Sequence, residues 1–291
     1  MRTRAATRVA FLLRFEYIDA GEFSLVLFPF MHALQINNIS FSYRRGVPTL
    51  RNVSFIVQKD EFLTLVGPNG SGKTTLLRLL DRMLLPDQGT ILLDDKPLGS
   101  IPRQLLARRI AFIPQDGGVL FPFTVLEVVL MGRSPHTRGR MFESDSDRQI
   151  AWEMLRMTHI EHLAHQPVTT LSGGERQRVF IARALAQQPE ILLMDEPNAH
   201  LDIAHQLDAF SLIKKRNIER SLTVVCVSHD LNLAASFSDR IGLLVCGSLT
   251  ALGTPNEVLT EQTIRDAFRT HVIVDRHPAK DTPRISLLPT M

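Results

Sequence analysis

Short, uninterrupted apolar runs separated by turn residues dominate the hydrophobic pattern of the chain. Residues 62–66, 191–194 and 222–227 are runs of this kind. They are typical of parallel strands that are covered on both faces, because such strands need no alternation of apolar and polar positions. The pattern predicts an α/β protein built on a doubly wound, mainly parallel sheet.

Two other patterns accompany these runs. Residues 34–66 and 89–113 are rich in strand-forming residues and are divided by turns, which predicts an antiparallel β flank. Residues 116–188 are mostly helical in pattern, with helices expected at 124–131, near 148–157 and from Ser172 onward. Strand and helix then alternate again from 190 to 250. A helical subdomain is therefore expected within one α/β domain.

A glycine-rich turn joins the run at 62–66 to an apolar helical segment at 76–80. Residues 67–74 read Gly-Pro-Asn-Gly-Ser-Gly-Lys-Thr, so a strand, a glycine loop and a helix follow one another. The three glycines permit positive φ, which lets successive N–H groups point at an anion. Lys73 adds positive charge, and the Thr74 hydroxyl is a ligand that Mg²⁺ accepts. This order of elements predicts a nucleoside triphosphate site.

Two adjacent carboxylates, Asp195 and Glu196, follow the apolar run at 191–194. Carboxylates beside a buried strand are costly unless a ligand uses them, and ligands bind at the carboxyl ends of parallel strands. We expect Asp195 to hold Mg²⁺ and Glu196 to orient or deprotonate an attacking water.

A second helix start suited to an anion is predicted at Ser172. Ser172 and Glu175 have the spacing of a capping box, and an apolar helix face follows them. Gly173 and Gly174 lie in the first turn although glycine is a poor helix former. Local stability does not explain them, and they are typical of a backbone that a ligand approaches closely.

The segment from 171 to 177 resembles the signature of ATP-binding cassette (ABC) ATPases, and the other motifs of that family occur in the expected order between residues 33 and 291. The resemblance implies that Tyr43 stacks on adenine, that Gln115 senses magnesium and water, and that His229 contacts the γ-phosphate. Residues 198–202 are similar to the loop that communicates across the nucleotide dimer.

The resemblance also implies a full set of site residues. The catalytic residues are Glu196, His229, Gln115 and Lys73, and the magnesium ligands are Thr74, Gln115 and Asp195. The nucleotide-binding residues are Tyr43, Gly67, Pro68, Asn69, Gly70, Ser71, Gly72, Lys73, Thr74, Thr75, Ser172, Gly173 and Gly174.

In ABC proteins the signature of one subunit covers the γ-phosphate held by the glycine loop of the other. The resemblance therefore implies a homodimer that buries two molecules of ATP, with Mg²⁺, and hydrolyses them. The boundaries that it implies are an extension at 1–30, an ABC ATPase domain at 31–265 with the helical subdomain at 116–188, and a C-terminal tail at 266–291 packed on the core.

Composition and charge indicate which classes of partner the chain can have. The chain is 44% hydrophobic and 22% charged, as in a globular protein, and it has no stretch of about twenty apolar residues that could span a bilayer. Its formal net charge of +3 suits nucleotide or an anionic lipid surface, and without a basic stripe interleaved with aromatics we expect no nucleic acid partner. Cys226 and Cys246 lie inside the apolar runs 222–227 and 241–246, which predicts buried, reduced thiols in a cytosolic compartment.

The first thirty residues fit the rest poorly. Arginines precede the apolar run at 9–13, as in a secretory leader, but charged residues from Arg14 onward interrupt it, so export is not expected. We predict that residues 1–30 are an upstream extension or result from a misplaced start. The alternative is an amphipathic helix that touches a membrane through Phe11, Phe15, Phe23, Phe28 and Phe30.

The segment after Gln115 is where transporter ATPases of this family contact their membrane subunits. We therefore expect two permease subunits to dock near residues 116–136. Residues 132–136 and 254–259 resemble more narrowly the ATPases that energise uptake of ferric siderophores, haem and cobalamin. The sequence thus indicates a peripheral ATPase at the cytoplasmic face of the membrane, with an extracytoplasmic binding protein as an indirect partner.

Other classes remain as alternatives. An importer of molybdate or zinc, or an exporter, would carry the same motifs. A soluble cassette ATPase acting on DNA or ribosomes is opposed by the single cassette and by the short segment between Gln115 and Ser172, which leaves no room for a long coiled coil. An inactive regulator conflicts with the intact Lys73, Glu196 and His229.

Overall fold

The computed structural model describes the backbone of residues 13–18 and 22–27, and both backbone and side chains of residues 32–44, 46–115, 121–137, 143–197 and 202–288. The strands are β1 (Leu13–Ile18), β2 (Glu22–Leu27), β3 (His32–Phe41), β4 (Leu50–Gln58), β5 (Phe62–Val66), β6 (Gln88–Leu93), β7 (Lys96–Pro97), β8 (Ile110–Ile113), β9 (Ile191–Asp195), β10 (Thr223–Val227), β11 (Arg240–Val245), β12 (Ser248–Gly253), β13 (Val272–Arg276) and β14 (Pro283–Leu287). The α-helices are α1 (Lys73–Leu80), α2 (Arg103–Arg109), α3 (Val125–Met131), α4 (Asp145–Met157), α5 (Gly173–Ala186), α6 (Ile203–Arg220), α7 (Leu231–Phe237), α8 (Pro255–Val258) and α9 (Glu261–Phe268).

The central sheet has six strands in the order β12-β11-β5-β10-β9-β8. Neighbours from β11 to β8 are parallel, and β12 is an antiparallel edge strand. Successive residues of β9 belong to two different apolar clusters: Ile191 and Leu193 pack on one face of the sheet, and Leu192 and Met194 on the other. Both faces are therefore covered, which confirms the doubly wound α/β sheet predicted from the uninterrupted runs.

A four-stranded antiparallel sheet, ordered β4-β3-β6-β7, forms the predicted β flank. Its apolar residues share one cluster with those of α1. The prediction for residues 89–113 is wrong in part, because α2 lies between β7 and β8. Only Leu106 of this helix is buried, so its sequence lacks the apolar periodicity by which a helix is recognised.

The three helices predicted between 116 and 188 are present as α3, α4 and α5, and each begins with a capping box. Helix α4 begins at Asp145 rather than near Arg148, because Ser144 caps it and pairs with Asp147. The apolar faces of these helices share one cluster with a face of the central sheet. The helical subdomain and the sheet therefore share a continuous core.

The C-terminal segment belongs to an apolar cluster that includes residues of β5 and β11 in the central sheet. Val272 of β13 and Ile285 of β14 lie in one apolar cluster with Val66. The side chain of Asn232 in α7 donates to the Ile285 carbonyl (3.1 Å) and accepts from the Ile285 N–H (2.8 Å). The boundary predicted after residue 265 falls inside helix α9, which is continuous there.

Strands β1 and β2 pair with each other, antiparallel, in a sheet of two strands. The alternative of an amphipathic helix is therefore wrong for residues 13–18 and 22–27, whose backbone is extended. Phe11, Phe28 and Phe30 lie outside the described residues. Within the described ranges, every helix is too short or too polar to cross a bilayer.

The two cysteines differ in exposure. Cys226 lies in β10 with no exposed surface, and burial raises the pKa of its thiol. Cys246 is exposed, so the prediction that it is buried is wrong. Strand β11 ends at Val245, and Cys246 begins the tight turn to β12 with φ of 48°. Because Cys246 is part of the turn and not of β11, its side chain lies at the surface although an apolar run precedes it.

Candidate nucleotide site

The glycine loop joins β5 to α1, as the sequence predicted. Gly67 has φ of 147°, and a Cβ atom there would lie 2.0 Å from the carbonyl oxygen of Leu244. Gly72 has φ of 100°, and a Cβ atom there would lie 2.7 Å from the Leu50 side chain. Strands β11 and β4 therefore pack so closely against the loop that only glycine fits at these two positions.

Lys73 lies inside the loop and is 5% exposed. Its ammonium donates to the carbonyls of Gly67 (2.8 Å) and Pro68 (3.0 Å). Burial lowers the pKa of Lys73, while the carboxylates of Glu196 and Asp195 oppose that shift. Since an ammonium has three donors, one remains for a phosphate oxygen. The loop thus holds a positive charge at its centre with a donor to spare.

Asp195 ends β9 and is 3% exposed. Its Oδ1 accepts a hydrogen bond of 2.9 Å from the Thr74 hydroxyl at the start of α1. Burial raises the pKa of Asp195, and the bond from Thr74 opposes this rise. Two oxygen donors of the kind that Mg²⁺ prefers therefore meet beside the loop, and this donor set fits the ion.

Glu196 has a left-handed backbone with φ of 47°, and its N–H donates to the Val227 carbonyl (3.0 Å). This conformation costs a non-glycine residue about 1–2 kcal/mol, so the neighbouring strand holds Glu196 against strain. The turned carboxylate accepts a hydrogen bond from Gln115 Nε2 (2.9 Å) and contacts His229 Nε2. Three residues that are distant in the sequence converge at one carboxylate.

These groups surround one cavity of about 580 Å³. Its lining consists of residues that the sequence had singled out: Asn69, Gly70, Lys73, Thr74, Gln115, Glu196 and His229. Tyr43 lies beside α1 and is 56% exposed, and its hydroxyl is 3.4 Å from that of Thr75. The structure therefore brings the loop, the strand-end carboxylates and His229 together, next to an exposed aromatic ring.

The helix start at Ser172 is separate from this cavity. The predicted capping box is present: the Glu175 N–H donates to Ser172 Oγ (3.3 Å), and the Ser172 N–H donates to Glu175 Oε2 (2.9 Å). Ser172 and Gly173 are exposed, and neither lines the cavity of the glycine loop. Within one chain, the helix start at Ser172 and the cavity of the glycine loop therefore do not meet.

Comparison with known proteins decides the family. The family described as ABC transporter matches residues 50–199, just over half of the 291-residue chain. The chain belongs to the ABC transporter family. As a member of this family, the chain is an ATPase.

Relatives and solved structures agree with this assignment. A hemin import ATP-binding protein of Gloeobacter violaceus is 42% identical over 243 residues, which cover 81% of this chain and 87% of that protein. An inward-facing metal-chelate type ABC transporter superposes with a TM-score of 0.78 at 30% identity, over 89% of this chain and 98% of that one. A dimeric ATP-binding cassette in a post-hydrolysis state with ADP and Pi gives a TM-score of 0.68 at 33% identity, over 76% and 98%.

In this ABC protein, the first two residues of the segment at 132–136 that resembles the metal-chelate group are buried, whereas Ser134 is exposed. Arg133 is 5% exposed and donates to Asp147 Oδ1 (3.0 Å), to the Ala186 carbonyl (2.7 Å) and to Gln188 Oε1 (3.1 Å). It therefore joins the start of α4 to the end of α5. Arg133, although part of the segment that resembles the metal-chelate group, forms hydrogen bonds within the helical subdomain and is not available for contact with a partner.

Arg133→Met should lower the free energy of unfolding by about 3–5 kcal/mol, because it leaves the Asp147 carboxylate buried without its cation. Burial alone would raise the pKa of Asp147, but hydrogen bonds from Ser144 and the pair with Arg133 lower it to about 2 from 3.8. The pair thus stabilises the fold above about pH 4 and is lost as the pH falls toward 2. Urea unfolding at pH 7 should show the larger loss and at pH 3.5 a smaller one.

Lys215→Met is the matched control, since it removes the exposed pair with Glu219 at 4.0 Å. It should change stability by less than about 1 kcal/mol. An Arg133→Met variant as stable as this control, or one with the same deficit at both pH values, would contradict the role given to the buried pair.

A groove of about 740 Å³, which the sequence did not indicate, lies between α1, α2 and the helical subdomain. Met83 and Met131 are about half exposed at its rim, and Asp81 and Arg183 line it. Neither of these two charged side chains has a hydrogen-bond partner in the described part of the chain. Burial raises the pKa of Asp81 to about 7, with Arg103 opposing, and burial lowers the pKa of Arg183.

Asp81→Asn should raise the free energy of unfolding at pH 8 by about 1–3 kcal/mol and leave it unchanged at pH 4. The reason is that the folded protein holds the Asp81 proton more tightly than the unfolded chain, so stability is lost as the pH rises from about 4 to 7. Urea titrations at both pH values test this, with the exposed Asp281→Asn as control. A variant that is less stable than the wild type at pH 8 would show that the carboxylate has a partner.

Proposed function

We propose that this ABC protein is the ATP-hydrolysing subunit of an importer for a metal chelate such as a ferric siderophore, haem or cobalamin. The observation that carries the proposal is the convergence of Gln115, Glu196 and His229 on the phosphate-loop cavity, in a chain similar to a hemin import ATP-binding protein and a metal-chelate type transporter. An ABC importer of molybdate or zinc, or an exporter, is the alternative outcome of the test below.

The site residues divide the work of hydrolysis. The loop N–H groups and the free donor of Lys73 hold the β- and γ-phosphates. Glu196 orients the attacking water and accepts its proton, and Gln115 and His229 hold the carboxylate in place through the contacts seen. Thr74 and Asp195 would hold Mg²⁺, with Gln115 as a further ligand. The ion would supply positive charge that stabilises the negative charge developing on the phosphates. Tyr43 offers an exposed ring for adenine.

Two copies of the chain complete each site. Ser172 and Gly173 are exposed at a helix start, where N–H groups and the helix dipole favour an anion, yet they lie outside the cavity of their own glycine loop. The signature of one copy therefore covers the ATP held by the other, as expected of a homodimer. The similarity to a dimeric cassette with ADP and Pi supports this arrangement.

The permease docks in the groove that contains Asp81 and Arg183, next to the segment at 121–136. Phe121 and Met131 of that segment are exposed apolar side chains. Arg183 lies over the Phe180 ring and Asp81 is attracted by Arg103, but neither side chain has a hydrogen-bond partner in the described residues. An acid and a base of this kind suit a helix that carries both charges and an apolar side chain between them. A cytoplasmic loop of the permease would supply the missing hydrogen bonds. A chain docked there is peripheral to the bilayer, at the cytoplasmic face of the membrane.

The test reconstitutes the chain in liposomes together with a candidate permease and a candidate extracytoplasmic binding protein of the metal-chelate group. The ATPase faces the interior of the vesicle, where ATP is trapped. This ATP should drive uptake of hemin, cobalamin or a ferric siderophore into the vesicle, and only when the binding protein is present. Retention of the chain by the permease should fall for Asp81→Asn. Transport in the outward direction, or association with ribosomes or DNA and no membrane partner, would overturn the proposal.

A further inference from the structure

The first turns of α5 and α6 contact each other, and the contact involves a residue that no motif singled out. His205 of α6 lies against Gly174 of α5, and one turn further along Arg178 pairs with Asp208 at 3.1 Å. The signature residue Ser172 caps α5, and Asp202, which directly follows residues 198–201, caps α6. The contact therefore joins two segments that the proposed dimer uses, although 198–201 lie outside the described residues.

Gly174 is buried, and the reason is visible in the structure. A Cβ atom at this position would lie 3.0 Å from Cγ and Cδ2 of His205 and 3.2 Å from its Nδ1. The imidazole therefore packs directly against the helix backbone, and the methyl group of an alanine at position 174 would have to displace it by a few tenths of an ångström. The expectation that both signature glycines serve the approach of a ligand is incomplete, because at Gly174 the close packing of the neighbouring side chain also favours glycine. A helical glycine costs about 1 kcal/mol relative to alanine, and this close contact explains its presence.

The orientation of the imidazole is fixed from the other side. Asp202 Oδ1 accepts from the backbone N–H of His205 (2.8 Å) and from its Nδ1 (2.7 Å). The first bond caps α6, and the second makes Nδ1 the protonated nitrogen that donates to the carboxylate. A single carboxylate thus ties the ring to the N-terminus of α6. The ring, in turn, sets how closely the signature turn approaches that helix.

We propose that His205 is a positioning residue for ATP hydrolysis, which holds the signature turn at a fixed distance from the start of α6. The inference rests on the proposed function, since the signature acts on ATP only in the dimer. His205 touches no group of the phosphate-loop cavity. Its effect is therefore on the half of the site that a chain presents to its partner, and not on the half in which that chain holds its own nucleotide.

His205→Ala should lower kcat about tenfold to a hundredfold, because a displacement of about 1 Å in a reacting assembly has effects of that size. ATP binding to the glycine loop of the isolated chain should be unchanged, so the loss appears in kcat and in ATP-driven pairing and not in nucleotide affinity. His205→Asn keeps a donor for Asp202 and should retain most of the activity. Asp208→Asn, which removes the exposed pair at the far end of the same contact, is the control and should turn over like the wild type.

A size exchange separates the packing role from a direct role of Gly174 at the nucleotide. Gly174→Ala should lower turnover more than tenfold, since its methyl group meets the imidazole. Gly174→Ala combined with His205→Ala should be several times more active than Gly174→Ala alone, because the methyl group then enters the vacated space. All variants are compared as folded, full-length protein by circular dichroism and thermal unfolding.

The outcomes are distinguishable. Normal turnover of His205→Ala, or a double variant no more active than Gly174→Ala, would overturn the inference while leaving the proposed function intact. Loss of nucleotide affinity in His205→Ala would also overturn it, because the effect would then lie in the wrong half of the site. Absence of ATP hydrolysis and pairing in the wild type would instead contradict the proposed function. If His205→Ala does not fold, Gly174→Ala combined with the smaller His205→Asn takes the place of the double variant, and activity no higher than that of Gly174→Ala alone would overturn the inference.

Discussion

Glu196→Gln should bind ATP with wild-type affinity and hydrolyse it about a hundredfold to ten-thousandfold more slowly. The amide has the size of the carboxylate, so the strained backbone at φ 47° and the hydrogen bond to the Val227 carbonyl remain. What is lost is a base at the point where Gln115 and His229 converge. Binding depends on the loop and Lys73, which the substitution does not touch.

The measurement is steady-state phosphate release at saturating MgATP beside equilibrium binding of ATP. Glu219→Gln, which changes an exposed glutamate near the end of α6, is the control and should behave like the wild type. Turnover within about twofold of the wild type in Glu196→Gln would remove Glu196 from the catalytic role, whatever else the site does.

Lys73→Ala should weaken ATP binding by about 2–4 kcal/mol, thirtyfold to a thousandfold in Kd. Without the ammonium, the carbonyls of Gly67 and Pro68 lose their shared donor, and the carboxylates of Asp195 and Glu196 face the triphosphate without a compensating cation. Repulsion then replaces attraction at the centre of the loop.

Calorimetric titration with ATP measures this loss. Lys59→Ala removes an exposed lysine that pairs with Asp94 and serves as the control. The folded structure should persist in both variants, because the loop is held by its neighbours at Gly67 and Gly72. Unchanged ATP affinity in Lys73→Ala would show that residues 67–74 are not where the phosphates bind.

The sequence is most informative where chemistry and backbone make the same demand. Glycines 67 and 72, Lys73 and Thr74 could be placed correctly because a strand, a turn with positive φ and a helix leave few arrangements of the chain. The convergence of Glu196 with His229 was also predictable in outline, since both follow parallel strands whose carboxyl ends lie at one edge of the sheet.

The errors arose where the local pattern is weak. Helix α2 buries only Leu106, so no apolar periodicity distinguishes it from the strands around it. Cys246 follows an apolar run, and only its turn conformation, which the sequence does not encode in a recognisable form, carries it to the surface. Upstream of the strand-rich sequence that begins at residue 34, β1 and β2 are short and pair with each other, and the apolar pattern of this leader-like segment did not indicate them.

Two parts of the site depend on contacts between segments that are far apart in the chain. The approach of His205 to Gly174 and the burial of Asp81 beside the groove result from how α5, α6 and α1 pack. A single sequence reports the composition of each helix and not the residue that faces it across an interface. For that reason a capping box at Ser172 could be predicted and its neighbour could not.

The central claim is that the signature at Ser172 of one copy closes over ATP held by the glycine loop of another. Light scattering on Glu196→Gln with and without MgATP tests it most directly, because slow hydrolysis leaves the closed state populated. Without nucleotide, the mass in solution should be that of one chain, 32.8 kDa. With MgATP it should double, unless Lys73 is also replaced. A chain that binds MgATP and remains a monomer at all concentrations would contradict it.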